Sequence, residues 1–341
     1  MTISPKLQSL MSKGNQFLGT DYPLICGAMT WVSEPKLVSA VCNSGCFACI
    51  AGGNAPVDIL EQQIAQTRSM TDRNFAVNLI TIAPAYRDQL AMLKDHKVPY
   101  IVFAGSFPNA KEVEEAKSTG AKVMCFASTI SIAERMIRYG ADAIVLEGSE
   151  AGGHIGHVST IVLLQQLLFK YADTLPIFVA GGIATGRMAA DLLLMGASGI
   201  QMGTRFVMTE ECNVHPDFKQ AFIRANARDA VSTPQFDSRL PVVAVRALRN
   251  QGTKLFGELQ LSLLKKLEAG EISRADAQAE VEKFWVGALR RAAIDGDIAN
   301  GSLMAGQSVG MMDSVKPIRD VIAEIISEAD AEIARVSGLL A

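Results

Sequence analysis

The sequence predicts an α/β fold of the (β/α)8 TIM-barrel type, with a smaller helix-rich cap domain inserted after the eighth strand. Short runs of mostly β-branched or aliphatic residues alternate with helical segments eight times over the first 206 residues. The runs end in glycine or small polar residues, as strands do where their carboxyl ends build a site. A doubly wound open sheet is the alternative. The even spacing favours a closed barrel, and no G-x-G-x-x-G motif follows the first run.

Each predicted strand is a short apolar run that a parallel sheet would bury on both faces. The eight predicted strands cover residues 22–28, 47–51, 75–79, 99–104, 122–127, 143–147, 176–180 and 199–202. The intervening segments have helical periodicity or helix-ending glycines. The predicted barrel helices cover residues 34–43, 58–69, 84–96, 110–119, 131–139, 158–171 and 186–195.

The strand–helix rhythm stops after residue 206. Beyond it the pattern predicts helices at 211–228, 254–267, 274–293 and 315–336, a mixed segment at 233–245 and a small-residue loop at 301–307. We therefore expect a TIM-barrel domain at 1–206 that holds the binding site, a helical cap or substrate domain at 207–300, and a return loop with a final barrel-packing helix at 301–341.

Composition excludes several classes of protein. The chain has 341 residues, is 49% hydrophobic and carries a formal net charge of -3 without basic clusters, so nucleic acid and acidic membranes are not expected partners. No apolar run reaches the roughly 18 residues of a membrane span, and the first 18 residues lack the order of a signal peptide. Because Cys26, Cys49 and Cys125 lie in apolar runs, we expect a cytoplasmic protein without disulfides.

One cysteine spacing needs a decision. Cys42, Cys46 and Cys49 have a C-x3-C-x2-C spacing that can hold an iron–sulfur cluster. The first lies at the end of a predicted helix and the last in a predicted buried strand. Three thiolates on opposite sides of that boundary would hardly converge, so no cluster is predicted.

The segment at 147–157 is the most informative stretch of the chain. An apolar run, residues 143–146, ends abruptly in glycine, acid and histidine. Gly152 and Gly153 allow the backbone to approach a flat or charged ligand, and His154 can move a proton near neutral pH. His157 could join His154 as a metal ligand, and Glu147 or Glu150 stays open as a third ligand, but none is evident and no metal is predicted.

Two further glycine pairs follow the predicted seventh and eighth strands. Gly181-Gly182 and Gly203-Thr204 suit a phosphate group, which barrels often bind at these two loops, although glycines can also simply end strands. Pyridoxal phosphate would need a lysine at a strand end, and Lys122 begins its strand instead. Sugar phosphates remain open at this point.

A flavin needs close backbone and amide partners for its polar ring edge. The segment Ala28-Met29-Thr30 and the pair Gly152-Gly153 supply the backbone, and Asn78 and Gln201 supply amides at strand ends. Buried amides are costly unless they are paired. Each amide could also be satisfied inside the barrel, so that alternative stays open.

Together these segments resemble a known family. Residues 147–157, with 23–31, 181–183 and 203–206, resemble the FMN-dependent nitronate monooxygenase superfamily, which includes enoyl-acyl-carrier-protein reductase II. The resemblance runs from about residue 21 to residue 311. It is closer to the reductase branch at 52–56, 150–156 and 301–307, and at His215-Pro216.

The resemblance assigns roles by motif position. It implies that His154 is the active-site histidine. It also implies FMN contacts from Ala28, Met29, Thr30, Asn78, Glu147, Gly153, Gly181, Gly182, Gln201, Gly203, Thr204, Met304, Gly306 and Gln307.

The resemblance leaves two activities open. In the reductase, NADPH or NADH reduces FMN, which then passes hydride to the β-carbon of a 2-enoyl thioester on acyl-carrier protein, and His154 positions or protonates the enolate. In the monooxygenase, an alkyl nitronate reduces the flavin and oxygen reoxidises it. A flavin-binding subunit or sensor without catalysis is a third hypothesis.

Two segments depart from the reductase pattern. Residues 104–108 replace a usual Thr-Gly-Ala-Gly loop, which puts thioester recognition in doubt, and Cys46 replaces a usual glycine. An acidic carrier protein would favour a basic entrance. The candidates for it are Arg239, Arg246, Arg249 and Lys254, although a solvated helix face explains them better. Apolar positions at 254–267 make a homodimer plausible.

Overall fold

A computed structural model describes residues 3–53, 55–240, 242 and 244–339. Asn54, which belongs to the 52–56 feature of the family resemblance, lies outside the described residues. No helix in the described ranges is long and apolar enough to cross a membrane.

The centre of the molecule is a closed barrel of eight parallel strands, which confirms the predicted fold class. Its strands are β1 (Leu24–Cys26), β2 (Phe47–Ile50), β3 (Ala76–Leu79), β4 (Tyr100–Phe103), β5 (Lys122–Ala127), β6 (Ala143–Glu147), β8 (Ile177–Ala180) and β9 (Gly199–Met202). Strand β7 (Gly153–His154) lies outside the barrel. Strand β9 pairs with β1 through Gln201 and Ile25, and this pairing closes the ring.

Apart from the first and the last, which the sequence does not predict, the barrel helices follow the predicted alternation closely. They are α1 (Pro5–Leu18), α2 (Pro35–Asn43), α3 (Val57–Met70), α4 (Tyr86–His96), α5 (Ala110–Ser118), α6 (Ile130–Arg138), α7 (Thr160–Leu163), α8 (Phe169–Tyr171), α9 (Gly186–Leu194) and α10 (Thr204–Val207). A π-helical segment, Leu164–Leu168, joins α7 to α8 where a regular helix is predicted.

Helix α1, which the sequence pattern does not predict, closes the amino end of the barrel. Its Phe17 ring lies 5.9 Å from the rings of both Tyr100 and Phe178. The Tyr100 hydroxyl donates a 2.6 Å hydrogen bond to the Phe17 carbonyl. Because this end is filled by aromatic side chains, a ligand site must lie at the carboxyl ends of the strands.

The predicted helix at 211–228 is too long. Helix α11 (Pro216–Arg224) begins at a proline, which is favoured in the first turn and disfavoured in a helix interior. It ends at Ala225, whose backbone is extended, and a 3₁₀ turn, Ala227–Asp229, follows. The amphipathic pattern is real, but the proline and the extended residue divide it.

A three-stranded antiparallel sheet, also absent from the sequence prediction, joins the cap to the barrel. Strands β10 (Ala230–Ser232) and β11 (Val245–Leu248) pair with each other, and β11 also pairs with β7. Val245 is the register partner of His154. The segment that follows β6 is therefore part of the same sheet as the cap.

The cap helices α12 (Gln251–Glu268) and α13 (Arg274–Ala293) enclose their own apolar cluster. Trp285 is its largest member, with its ring centroid 4.2 Å from that of Phe256 and 5.4 Å from that of Phe284. After a 3₁₀ helix, Gln307–Met311, helix α14 (Ile318–Leu339) returns to the barrel and packs beside α9. There the buried Glu332 lies 3.0 Å from Arg187.

Candidate active site

A large cavity opens between the carboxyl ends of the barrel strands and the cap. It holds about 1380 Å³ of space free of protein atoms, open solvent at its mouth included. We call the side formed by the strand ends the barrel wall, and the side formed by Glu282, Trp285, Val286 and Leu289 of α13 the cap wall.

The barrel wall is built largely from glycine backbone. A Cβ on Gly152 would lie 2.5 Å from Ala305 C and from Gly306 N, so no larger residue fits between this loop and the late loop. Gly181 has φ 100°, in the left-handed region, and a Cβ there would lie 3.0 Å from the Gly148 carbonyl oxygen. These glycines leave peptide groups exposed to a ligand.

The two strand-end amides also line the cavity. The Asn78 amide nitrogen lies 3.1 Å from the Val102 carbonyl oxygen and 3.2 Å from that of Ala104. Because only the NH₂ group can face two acceptors, Oδ1 is left as an acceptor for a ligand. The amide of Gln201 has no hydrogen-bond partner among the described residues, and Gly27 leaves room for it, since a Cβ there would meet Nε2 at 2.8 Å.

Glu147 ends β6 and lines the same wall. Burial raises the pKa of its carboxyl from 4.5 to about 8. No hydrogen bond to this carboxyl is found in the described part of the chain. A carboxyl that is protonated at neutral pH can donate a hydrogen bond to a ligand as well as accept one.

His154 lies between the two walls. Its backbone is held in β7, where the following N–H, that of Ile155, donates a 2.9 Å hydrogen bond to the Ala244 carbonyl. Its side chain is 30% exposed, and Nε2 lies 3.8 Å from Oε1 of Glu282. Burial lowers the pKa of His154, and the Glu282 carboxylate partly opposes that effect.

The sequence pattern does not predict the residues of the cap wall as part of the site. Glu282, Trp285, Val286 and Leu289 share one face of α13 at helical spacing. The same helix is joined to the loop after β1, because Trp31 donates from Nε1 to the Val286 carbonyl at 3.2 Å. The spacing is visible in the sequence, but it equally describes a buried helix face.

The structure brings most of the predicted site residues together. Those that line the cavity are His154, Ala28, Met29, Thr30, Asn78, Glu147, Gly152, Gly153, Gly181, Gly182, Gln201, Gly203, Thr204, Met304 and Gly306. Their roles toward a cofactor remain predictions.

Gln307 is the exception among the predicted contacts. Its neighbours Gly306 and Ser308 line the cavity, but Gln307 does not. Its N–H donates to the Glu150 carbonyl at 2.9 Å, and the residue begins a 3₁₀ helix. The motif therefore reaches the site through the residues that flank Gln307.

Other candidate groups fall outside the cavity. His157 is exposed and does not line it. Within the described ranges no group of three metal-ligating side chains is found, and all six cysteines are buried with free thiols. The loop at 104–108 keeps Gly105 on the cavity, and its Ser106 hydroxyl accepts a 2.7 Å hydrogen bond from the Thr81 N–H.

Two of the four candidates for a basic entrance, Arg239 and Arg246, are committed to internal contacts, whereas Arg249 and Lys254 are exposed. Arg239 pairs with Asp237 at 2.6 Å and with Glu268 at 2.8 Å. Arg246 donates to the carbonyl oxygens of Ser149 and Ala230 at 3.0 and 2.6 Å. Both guanidinium groups are therefore engaged within the chain.

Comparison with known proteins gives consistent matches along the whole chain. The family model described as nitronate monooxygenase matches residues 12–96 and 80–328. A (3aS,4S,5R,7aS)-5-hydroxy-7a-methyl-1-oxo-octahydro-1H-indene-4-carboxyl-CoA dehydrogenase from Mycobacterium tuberculosis is 28% identical, covering 95% of this chain and 98% of that protein. A nitronate monooxygenase from Paraburkholderia phytofirmans is 26% identical, covering 93% and 94%.

A solved structure agrees with these sequence matches. FabK from Thermotoga maritima is 34% identical to this chain, superposes with a TM-score of 0.83, and covers 99% of this chain and 100% of its own. These relatives are oxidoreductase enzymes, and so is this protein. Their family is generally flavin-dependent. From the extent of the family match, the chain belongs to the nitronate monooxygenase family.

Proposed function

We propose that this protein is an FMN-dependent reductase that takes electrons from NADPH or NADH and reduces the double bond of a 2-enoyl thioester. The observation that carries the proposal is the end-to-end likeness to FabK, an enoyl-acyl-carrier-protein reductase II, across barrel and cap alike. The name of the Mycobacterium tuberculosis relative adds a second thioester, because the compound in that name is a carboxyl-CoA.

The residues of the barrel wall fit FMN. Gly181, Gly182, Gly203 and Thr204 would hold the phosphate group, since exposed peptide N–H groups and a hydroxyl suit a dianion. The free Oδ1 of Asn78 is an acceptor for an N–H of the flavin ring edge. When bound, FMN supplies the hydride chemistry, which no amino-acid side chain can provide.

His154 would supply the proton. Hydride addition at the β-carbon of the enoyl thioester gives an enolate. A proton added at the α-carbon then completes the reduction of the double bond. Because burial lowers the pKa of His154, its protonated form is a stronger acid than an exposed histidine. The side chain is 30% exposed, so it can regain its proton from water.

The proposed test separates the two half-reactions. FMN-loaded protein is mixed anaerobically with NADPH, NADH or an alkyl nitronate in a stopped-flow absorbance instrument. The reductase predicts rapid bleaching of the flavin band by a nicotinamide and recovery on addition of a crotonyl thioester. Parallel runs with the coenzyme A and carrier-protein thioesters identify the carrier. A protein that binds no FMN would contradict the proposal.

The second candidate is nitronate oxidation. It is favoured by the family match at 12–96 and 80–328 and by the name of the Paraburkholderia phytofirmans relative. It predicts bleaching by nitronate alone and recovery only with oxygen. That result would exclude the reductase.

Replacement of the histidine tests its role in either activity. His154→Ala should retain FMN, because the glycine loops remain, but turnover should fall about 10²–10⁴-fold with the loss of the proton-transfer group. The matched control is His157→Ala, three residues away, exposed and outside the cavity. Equal turnover in the two variants would remove His154 from the chemistry.

A further inference from the structure

The contact between His154 and Glu282 joins two parts of the chain that are far apart in sequence. His154 lies in β7, just after β6, and Glu282 lies on α13 in the cap. Nε2 and Oε1 are 3.8 Å apart, too long for a hydrogen bond but close enough for a strong electrostatic effect. The two side chains are 30% and 41% exposed, so water screens the pair only in part.

The fold fixes both ends of this contact. Pairing of His154 with Val245 in the small sheet holds the histidine backbone. Helix α13 is anchored by Trp285, which is 2% exposed and lies one turn from Glu282. The geometry therefore belongs to packed elements and not to a mobile loop.

The other charged groups around His154 are turned elsewhere or carry the same sign as Glu282. Glu147 lines the same cavity from the end of β6. Arg246, on the neighbouring strand β11, donates to the carbonyl oxygens of Ser149 and Ala230. Lys283, next to Glu282 on α13, is exposed. Of the described charged groups, the Glu282 carboxylate is the one whose effect on His154 is resolved.

We propose that Glu282 is a positioning residue, which acts on His154 from the cap because the charge of its carboxylate stabilises the protonated imidazole. The electrostatic contact stands on geometry alone, whereas its use in proton delivery rests on the proposed function. In that use, one proton passes from His154 to the α-carbon, His154 becomes neutral, and water returns one proton. Glu282 remains ionised throughout and transfers nothing.

The first experiment needs no substrate. Protein labelled with ¹³C at histidine Cε1 carries only four such signals, which single His→Gln variants assign. Titration should give a His154 pKa that is lower in Glu282→Gln than in wild type, because the opposing carboxylate is lost. Glu282→Asp keeps the charge on a shorter side chain and should fall between them.

A matched control lies on the same helix. Glu280 is exposed and does not line the cavity, so Glu280→Gln should leave the His154 titration unchanged. The signals of His96, His157 and His215 report whether the variants remain folded. If the His154 titrations of Glu282→Gln and wild type superimpose, the proposal is wrong, whatever reaction the enzyme catalyses.

The second readout is the pH profile of turnover. A proton donor is active below its pKa, so activity should fall as pH rises through the pKa of His154. Glu282→Gln should move that falling limb to lower pH by the same shift as the NMR titration. A uniform loss of activity without a shifted limb would indicate a merely structural role and would overturn the proposal.

Discussion

The two walls of the cavity present different chemical groups to a ligand. The barrel wall presents peptide groups, glycines and two strand-end amides, and its shape follows from backbone that admits no Cβ at Gly152. The cap wall presents side chains from one face of α13, among them Glu282 and Trp285. With the proposed function, the two walls would have different roles. The barrel wall would hold the cofactor, and the cap wall would stabilise protonated His154 and bound the substrate space.

The first test of the difference between the two walls removes Trp285, which anchors the cap wall. Trp285→Ala should lower the free energy of unfolding by about 3–5 kcal/mol, because the indole is 2% exposed and packs against Phe256 and Phe284. FMN affinity should change less than tenfold, since the barrel wall is intact. Chemical denaturation and FMN titration measure the two effects.

Trp285→Phe is the control for that substitution. The indole Nε1 has no hydrogen-bond partner among the described residues, so the phenyl ring should preserve most of the packing without a further polar loss. A loss as large as that of Trp285→Ala would show that the N–H has a partner after all.

The barrel wall is tested by adding one methyl group. Gly152→Ala places a Cβ 2.5 Å from two backbone atoms of the late loop, and displacing that loop should cost about 1–3 kcal/mol. FMN should then bind at least tenfold more weakly, as its absorbance during titration will show. Unchanged affinity would contradict the role of this loop.

Gly287→Ala is the matched control in the cap. Its Cβ would approach only the Arg291 guanidinium, at 3.6 Å, within helix α13. Alanine favours helix over glycine, so this variant should be as stable as wild type or more stable by up to about 1 kcal/mol. Equal damage from both substitutions would remove the distinction between the walls.

The last prediction concerns the pH dependence of folding stability that comes from a single carboxyl in the barrel wall. Between pH 4.5 and about 8, the unfolded chain has lost the Glu147 proton while the folded, cofactor-free protein retains it. Stability should therefore fall as pH rises through that window, and Glu147→Gln should remove this contribution. The stability that the variant gains over wild type should therefore increase as pH rises through the window.

Denaturant titrations at several pH values measure that gain. Glu280→Gln, which replaces an exposed carboxyl, should show no such trend. A Glu147→Gln curve parallel to wild type at every pH would mean that the carboxyl titrates normally.

The barrel could be predicted because each strand is a continuous apolar run and each unit repeats the same local signals. The small sheet could not, because β7 has two residues and its partner Val245 lies far along the chain. Pro216 and the extended Ala225 divide a helix that periodicity alone joins. Helix α1 fills the barrel through Phe17, a long-range contact that leaves no local pattern.

The residues of the site also divide into those that the sequence predicts and those that it does not. Glycines after strands, Asn78 and His154 lie at recognisable positions, so sequence and resemblance together predict them as site residues, and the structure places them on the cavity. Glu282 is one acid on a charged helix, and only folding brings it 3.8 Å from His154. Arg246 appears as a free surface cation in the sequence, yet it bonds to two carbonyl groups.

The different roles proposed for the barrel wall and for His154 are tested most directly by measuring FMN content and turnover in two variants side by side. The account predicts that Gly152→Ala binds FMN poorly, and that its activity recovers in part when excess FMN is added. It predicts that His154→Ala is fully yellow but slow, and that added FMN does not help. A fully yellow Gly152→Ala, or a His154→Ala variant with wild-type turnover, would contradict it.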